Sequence, residues 1–181
     1  TIDAIWNGYS ATDERREKVA FSIPYMENQQ VLVTKKSKQI RSVEDMKYKT
    51  LGAQAGSSGY LDFEAQSDLL KNRVKDQKAN QYQSFNEALI DLKNDRIDAL
   101  LIDRVYANYY LQSEGILNNY NVFSAGFESE SFAVGVRPAD KRLLTALNQA
   151  FIELYQEGKF QEISQKWFGE DVATKEVKEG I

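Results

Sequence analysis

The sequence predicts an α/β fold, on three observations. Short β-branched or apolar runs alternate with amphipathic stretches of about ten residues, the pattern of βαβ units around a mostly parallel sheet. One run, Ala99-Leu100-Leu101-Ile102, is continuously apolar, as a strand buried on both faces would be. The composition is that of a folded chain, with 42% hydrophobic and 28% charged residues among 181. A domain averages roughly 150 residues, so the length suits one domain or two small ones.

The elements follow in order. Residues 2–6 read as a strand, Asn7 to Ser10 as a turn, and Thr12 to Lys18 as a short helix. Thr12 can cap that helix, and Asp13 and Glu14 suit the positive end of its dipole. Val19 to Phe21 is extended. Gln30 to Lys35 alternates and is β-branched, so it reads as a strand. Ser42 starts a short helix, and Lys49 to Gln54 is a strand. Ser57-Ser58-Gly59 opens a helix running to about Asn72. Asn80 to Gln83 is a strand, and Ser84 to Glu87 has the pattern of a capping box. Behind it, Phe85, Ala88, Leu89 and Leu92 line one helical face. The buried strand ending at Asp103 is followed by a helix through Leu111. Asn121 to Ser124 and Ser131 to Val136 are further strands. Two helices, parted by Gly158, fill the C-terminal third, and the tail from Glu170 is polar and expected to be mobile.

Residues 31–130 hold their own strands and helices, flanked by 1–30 and 131–181. The simplest organisation is one α/β domain inserted into another, with two chain crossings near 22–33 and 126–134. The chain opens inside a strand and without Met, which reads as a fragment or as loss of an N-terminal portion.

Composition excludes much chemistry. There is no histidine and no cysteine, which removes zinc sites, haem ligation by histidine, Ser-His-Asp and Cys-His nucleophiles, and disulfides. No D-x-D-x-D-G loop for calcium appears, and no cofactor is implied. The net charge of −4, without a basic block, argues against nucleic acid or an anionic membrane as main partner. No apolar run approaches the roughly 20 residues of a membrane span, and no signal peptide is visible.

Ligands of open α/β sheets bind beyond the C-terminal ends of strands, and three segments fall there. In Asn7-Gly8-Tyr9-Ser10, Gly8 allows close backbone approach and Ser10 offers a hydroxyl. Arg15, on the following helix, could grip a carboxylate with two parallel hydrogen bonds, or be a solvated surface arginine paired to Asp13 or Glu14. Gln54-Ala55-Gly56-Ser57-Ser58-Gly59 leads into a helix N-terminus, an anion site by its free N–H groups, or simply a serine-capped helix. Asp103 closes the apolar strand, poised for a cation or acting as an N-cap. Together they suggest a clamp for a zwitterion. Arg15 and the Ser57/Ser58 helix end would hold a carboxylate. Asp103, Ser10 and the Gly8 carbonyl would hold an ammonium. No nucleophile–base pair accompanies them.

The run Trp6-Asn-Gly-Tyr-Ser-Ala-Thr-Asp-Glu-Arg-Arg-Glu-Lys-Val-Ala-Phe-Ser-Ile-Pro-Tyr25 resembles a motif of the family 3 extracellular solute-binding proteins, the amino-acid receptors of ABC importers. The likeness continues through Leu51 to Gly59, Asp98 to Asp103, and Gly158-Lys-Phe to Lys166-Trp-Phe-Gly169, nearly the whole chain. The nearest likeness is to glutamine- and polar amino-acid-binding lipoproteins of Gram-positive cocci. The resemblance implies a periplasmic-binding-protein-like fold of type II, two α/β lobes joined by two hinge strands. Lobe 2 would be 31–130, and lobe 1 a truncated 1–30 plus 131–181.

It further implies that Arg15 binds the ligand's α-carboxylate together with Ser10, Ser57 and Ser58. Asp103 would bind the ammonium with Gly8 and Ser10. Gln54 would read the ligand side chain, where many members carry lysine, and Tyr9 would line the pocket. Ile102 departs from the polar residue some members place beside that aspartate. The implied partners are a free polar amino acid, glutamine-like, and an ABC permease, and the implied location is the cell surface, lipid-anchored. The family's first strand, helix, strand and helix are missing from this chain. Their loss would leave Phe151, Leu154 and Trp167 partly uncovered and favour a homodimer. The alternatives are a fragment that binds nothing, a dehydratase-like enzyme on the same scaffold, and the sensing ectodomain of a receptor.

Overall fold

The computed structural model describes residues 2–181. The strands and helices run, in order, β1 (Ala4–Ile5), α1 (Asp13–Arg16), β2 (Ala20–Phe21), β3 (Met26–Asn28), β4 (Gln30–Lys35), β5 (Leu51–Gln54), α2 (Ser58–Ala65), β6 (Ala79–Tyr82) and α3 (Phe85–Lys93). They continue with β7 (Ala99–Asp103), α4 (Arg104–Ser113), β8 (Tyr120–Ser124), β9 (Glu130–Phe132), β10 (Gly135–Val136), α5 (Lys141–Gln156), α6 (Lys159–Phe168) and α7 (Lys175–Glu179). The chain divides into two compact units. One runs up to Asn28 and resumes at Ser129–Ile181; the other is Gln29–Glu128.

The unit Gln29–Glu128 is built on a five-stranded sheet of order β6-β5-β7-β4-β8. β7 is its centre, which is why Ala99 to Ile102 can be apolar without a break. Successive side chains of a strand point to opposite faces, and the core divides accordingly. Leu32, Leu51, Ala53 and Leu101 pack on one face with Ile40, Met46, Phe63 and Leu70. Val31, Val33, Leu100 and Ile102 pack on the other, against Ala88, Leu89 and Leu92 of α3 and Ala107 and Leu111 of α4. The result is three layers.

The sheet is mostly parallel, as expected, since four of its five strands point the same way, with one reversal. β5 runs parallel to β6 and β7, but β4 is antiparallel to both β7 and β8. β4 enters this unit directly from the crossing at Asn28–Gln29, so no crossover helix brings it round to the parallel sense. Three helices are shorter than expected. α1 covers only Asp13–Arg16 of the expected Thr12 to Lys18. α2 stops at Ala65, because Gln66 leaves helical geometry (φ −112°, ψ 64°), and the turns beyond it drop Leu70 and Val74 into the core. The helix expected from Ser42 is one 3₁₀ turn, Glu44–Met46. There the Asp45 carboxylate accepts the N–H groups of Arg41 and Ser42. At α3 the serine caps as expected, with Ser84 Oγ accepting from Glu87 N–H at 3.3 Å. The returning glutamate, however, accepts from Gln83 N–H rather than from Ser84.

The other unit holds β1, β10 and β2 in an antiparallel sheet and β3 paired antiparallel with β9. The single strand expected over 131–136 is thus two, each serving a different sheet. Gly158, at φ +79°, makes the left-handed turn that sends α5 back as α6. The tail corrects the expectation of mobility. Ala173, Thr174 and Val177 are buried, Thr174 Oγ1 donates to the Pro24 carbonyl, and Thr174 caps α7. A cleft of about 230 Å³ opens between Trp6, Tyr25 and the apolar faces of α5 and α6. Leu154 and Trp167 are exposed as expected, and Ile163 is exposed as well, but Phe151 is only 5% exposed, covered by Tyr25 and Trp6.

Candidate functional site

In the unit Gln29–Glu128, Asp103 is the last residue of β7 and occupies the N-cap position of α4. Its carboxylate makes no capping bond to that helix. Instead Oδ1 accepts a 2.6 Å hydrogen bond from Nε2 of Gln30, its register partner on β4. The capping alternative for Asp103 therefore does not describe it. For Ser57 it does: its side chain accepts from Tyr60 N–H at 3.1 Å and donates to the Gln54 carbonyl at 2.9 Å. Ser58, the first residue of α2, is buried, 3.4 Å from Gln30 Nε2. Gln54, ending β5, donates to the Gln83 carbonyl at 3.1 Å, which fixes its amide beside the end of β6. Ile102 points into the core and is fully buried. Gln30 thus links Asp103 and Ser58 at a strand end and a helix N-terminus, while the Gln54 amide, also at a strand end of the same sheet, turns towards β6. Strand ends are where ligands of open α/β sheets bind.

In the other unit, Arg15 lies on α1, which Thr12 caps. Among the described residues no carboxylate pairs with Arg15, and Glu14 pairs with Lys18 instead. The guanidinium donates through Nη1 to the Ser10 carbonyl at 3.0 Å and stacks on the Tyr9 ring at 4.5 Å. Tyr9 in turn packs on Phe21. Two local contacts hold the side chain while leaving its charge unneutralised by the described residues. Ser10 is buried and bridges to Phe132 of β9. Gly8 follows Asn7, whose carbonyl accepts from the Tyr25 hydroxyl at 3.0 Å. Burial pushes the Tyr25 pKa up to about 12, so this hydroxyl stays a donor and pins the turn.

The sequence does not single out Gln30. Its only signal there is an amide heading a largely apolar strand, and the side chain that makes it matter is 73 residues away. Among the described residues no cluster of acidic side chains could hold a metal ion. No helix of them is long and apolar enough to cross a membrane.

Residues 1–170 match the sequence profile of the bacterial extracellular solute-binding proteins, family 3. The chain belongs to this family. As a family 3 solute-binding protein it is 72% identical to an ABC uptake transporter substrate binding protein from Streptococcus pneumoniae, whose crystal structure holds histidine. The TM-score is 0.92, covering 96% of this chain and 71% of that one. A polar amino acid ABC uptake transporter substrate binding protein from Streptococcus thermophilus is 62% identical, at TM-score 0.69, covering 98% and 67%. The ABC transporter arginine-binding protein 1 of Escherichia coli (strain K12) is 31% identical over 168 residues, 92% of this chain. The chain spans 66% of that relative's length. Family and relatives are binding proteins rather than enzymes, and the mixed α/β architecture is the family's.

Proposed function

We propose that this chain is the ligand-holding part of an extracellular receptor that captures a polar α-amino acid and presents it to an ABC permease. Arg15 takes the α-carboxylate, aided by the N-terminus of α2 at Ser57 and Ser58. Asp103 takes the α-ammonium, aided by Ser10 and the Gly8 carbonyl. Tyr9 lines the pocket and Gln54 meets the ligand's side chain. A neutral amide at Gln54 favours an uncharged polar side chain such as that of glutamine or histidine over a cationic one. The observation that carries the reading is Asp103. A carboxylate stands at the end of the central strand in the N-cap position of α4 and leaves that helix uncapped. A helix gives up about 1 kcal/mol of capping there, and the carboxylate is held instead by Gln30 at the strand end, where ligands of open α/β sheets bind.

The test is a thermal-shift screen of the chain against the twenty amino acids. A ligand bound only by the folded state raises the melting temperature, so glutamine or histidine should stabilise the chain and aspartate and glutamate should not. A flat screen overturns the proposal. The apolar cleft at Trp6, Leu154 and Ile163 supports one further reading, that the 181-residue chain pairs with a second copy through that face. Sedimentation velocity showing only monomer at high concentration overturns it.

A further inference from the structure

We infer that Gln30 is a positioning residue of the site, holding Asp103 and Ser58 in one fixed geometry; the inference rests on the amino-acid reading above. Gln30 heads β4 and is 2% exposed. A buried side-chain amide is costly unless its hydrogen bonds are made, and here they go to the two residues assigned to opposite ends of the ligand. One Nε2 hydrogen meets Asp103 Oδ1 at 2.6 Å, and the other points to Ser58 Oγ at 3.4 Å. An ionised carboxylate only accepts, so the contact with Asp103 also orients the amide. Its nitrogen must face Asp103, and its oxygen then faces the first turn of α2, where the helix N-terminus carries partial positive charge.

Gly59 makes room for this arrangement. A Cβ at residue 59 would collide with Gln30 Oε1 and lie 2.8 Å from Gln30 Cδ. Neither the strand pairing nor the helix itself requires glycine there, since Gly59 is an ordinary helical residue of α2. The amide against it accounts for the missing Cβ. A flexible aspartate at the strand end would have to be ordered each time a ligand binds. One already held by a buried amide has lost that freedom on folding, so its hydrogen bond costs the ligand less.

The experiment is calorimetric titration of the chain and its variants with two matched pairs of probes. These are L-histidine against imidazolepropionate, and L-glutamine against glutaramate, each second compound lacking only the α-amino group. In the parent the amino acid binds more tightly than its des-amino partner. Gln30→Met keeps length and apolar bulk but not the amide. It is expected to weaken the amino acid about tenfold, which is roughly 1.4 kcal/mol, and to leave the des-amino probe nearly unchanged, so the discrimination falls. Gly59→Ala, which crowds the amide, should act the same way. On an Asp103→Asn background Gln30→Met should add little, because the two residues act as a unit. If Gln30→Met weakens both probes equally, or neither, Gln30 is a packing residue and the inference is overturned while the site reading stands. If the parent itself fails to discriminate and Asp103→Asn changes nothing, the site reading fails and the inference with it.

Discussion

Asp98→Ala tests how the central strand is anchored where it enters the sheet. Asp98 immediately precedes β7. Its Oδ2 accepts from Thr50 N–H at 2.9 Å and from the Thr50 hydroxyl at 2.8 Å. Its own N–H donates to Thr50 Oγ1 at 2.9 Å, and Lys38 Nζ stands 3.7 Å from Oδ1. Burial pushes the carboxyl's pKa up, but the Thr50 donors and the nearby lysines outweigh it and hold it below the ordinary carboxylate value. Hydrogen bonds to a charged group contribute about 1.5–3 kcal/mol each, but water can reach part of this site, so losing two should cost about 2–3 kcal/mol. For a chain of this size each kcal/mol moves the midpoint by about 2–4 °C, giving a drop of about 5–10 °C.

The pH dependence has a definite sign. A carboxyl whose pKa is lower folded than unfolded stabilises above its unfolded pKa of about 4, and the contribution is lost as pH falls through the folded value. The gap between parent and Asp98→Ala is therefore full at neutral pH and narrows below about pH 4. Differential scanning calorimetry over that range reads it. A drop under about 1 °C at neutral pH, or a gap that widens towards acid, refutes the reasoning.

Arg15→Lys keeps the charge but loses the planar fork and the stacking on Tyr9. Affinity for L-histidine or L-glutamine is expected to fall by about ten- to a hundredfold, read by calorimetry, with the melting temperature little changed. Leu101→Ala empties a fully buried site on the central strand, and urea unfolding should show a loss of about 2–5 kcal/mol. Ser84→Ala removes the cap of α3 and should cost about 1 kcal/mol in the same assay.

The central strand is legible in the sequence because four apolar residues in a row fit few places other than a strand covered on both faces. Asp103 stands out as the charge that ends them. The capped helices α1 and α3 are legible for a similarly local reason: Thr12 and Ser84 act on backbone within three residues of themselves. What local pattern does not carry is direction and distance. β4 reads the same whether it runs parallel or antiparallel, so its reversal against β7 is invisible. With it goes the register that sets Gln30 opposite Asp103. The polar tail misleads because its few apolar residues, Val172, Ala173 and Val177, are too sparse for a periodic signal, yet they dock against chain far away in sequence. At the candidate residues, alternatives open in sequence are decided by single contacts. Ser57 caps its helix, Asp103 does not, and Arg15 turns to Ser10 and Tyr9 rather than to Asp13 or Glu14.

Calorimetric titration of L-histidine and L-glutamine into the parent chain, Arg15→Ala and Asp103→Ala tests the zwitterion clamp most directly. Each substitution leaves one charge of a bound amino acid without its partner, at a cost of about 2–5 kcal/mol. The account predicts one saturable site in the parent and its near-complete loss in both variants. Binding in both variants at the parent's affinity would contradict it.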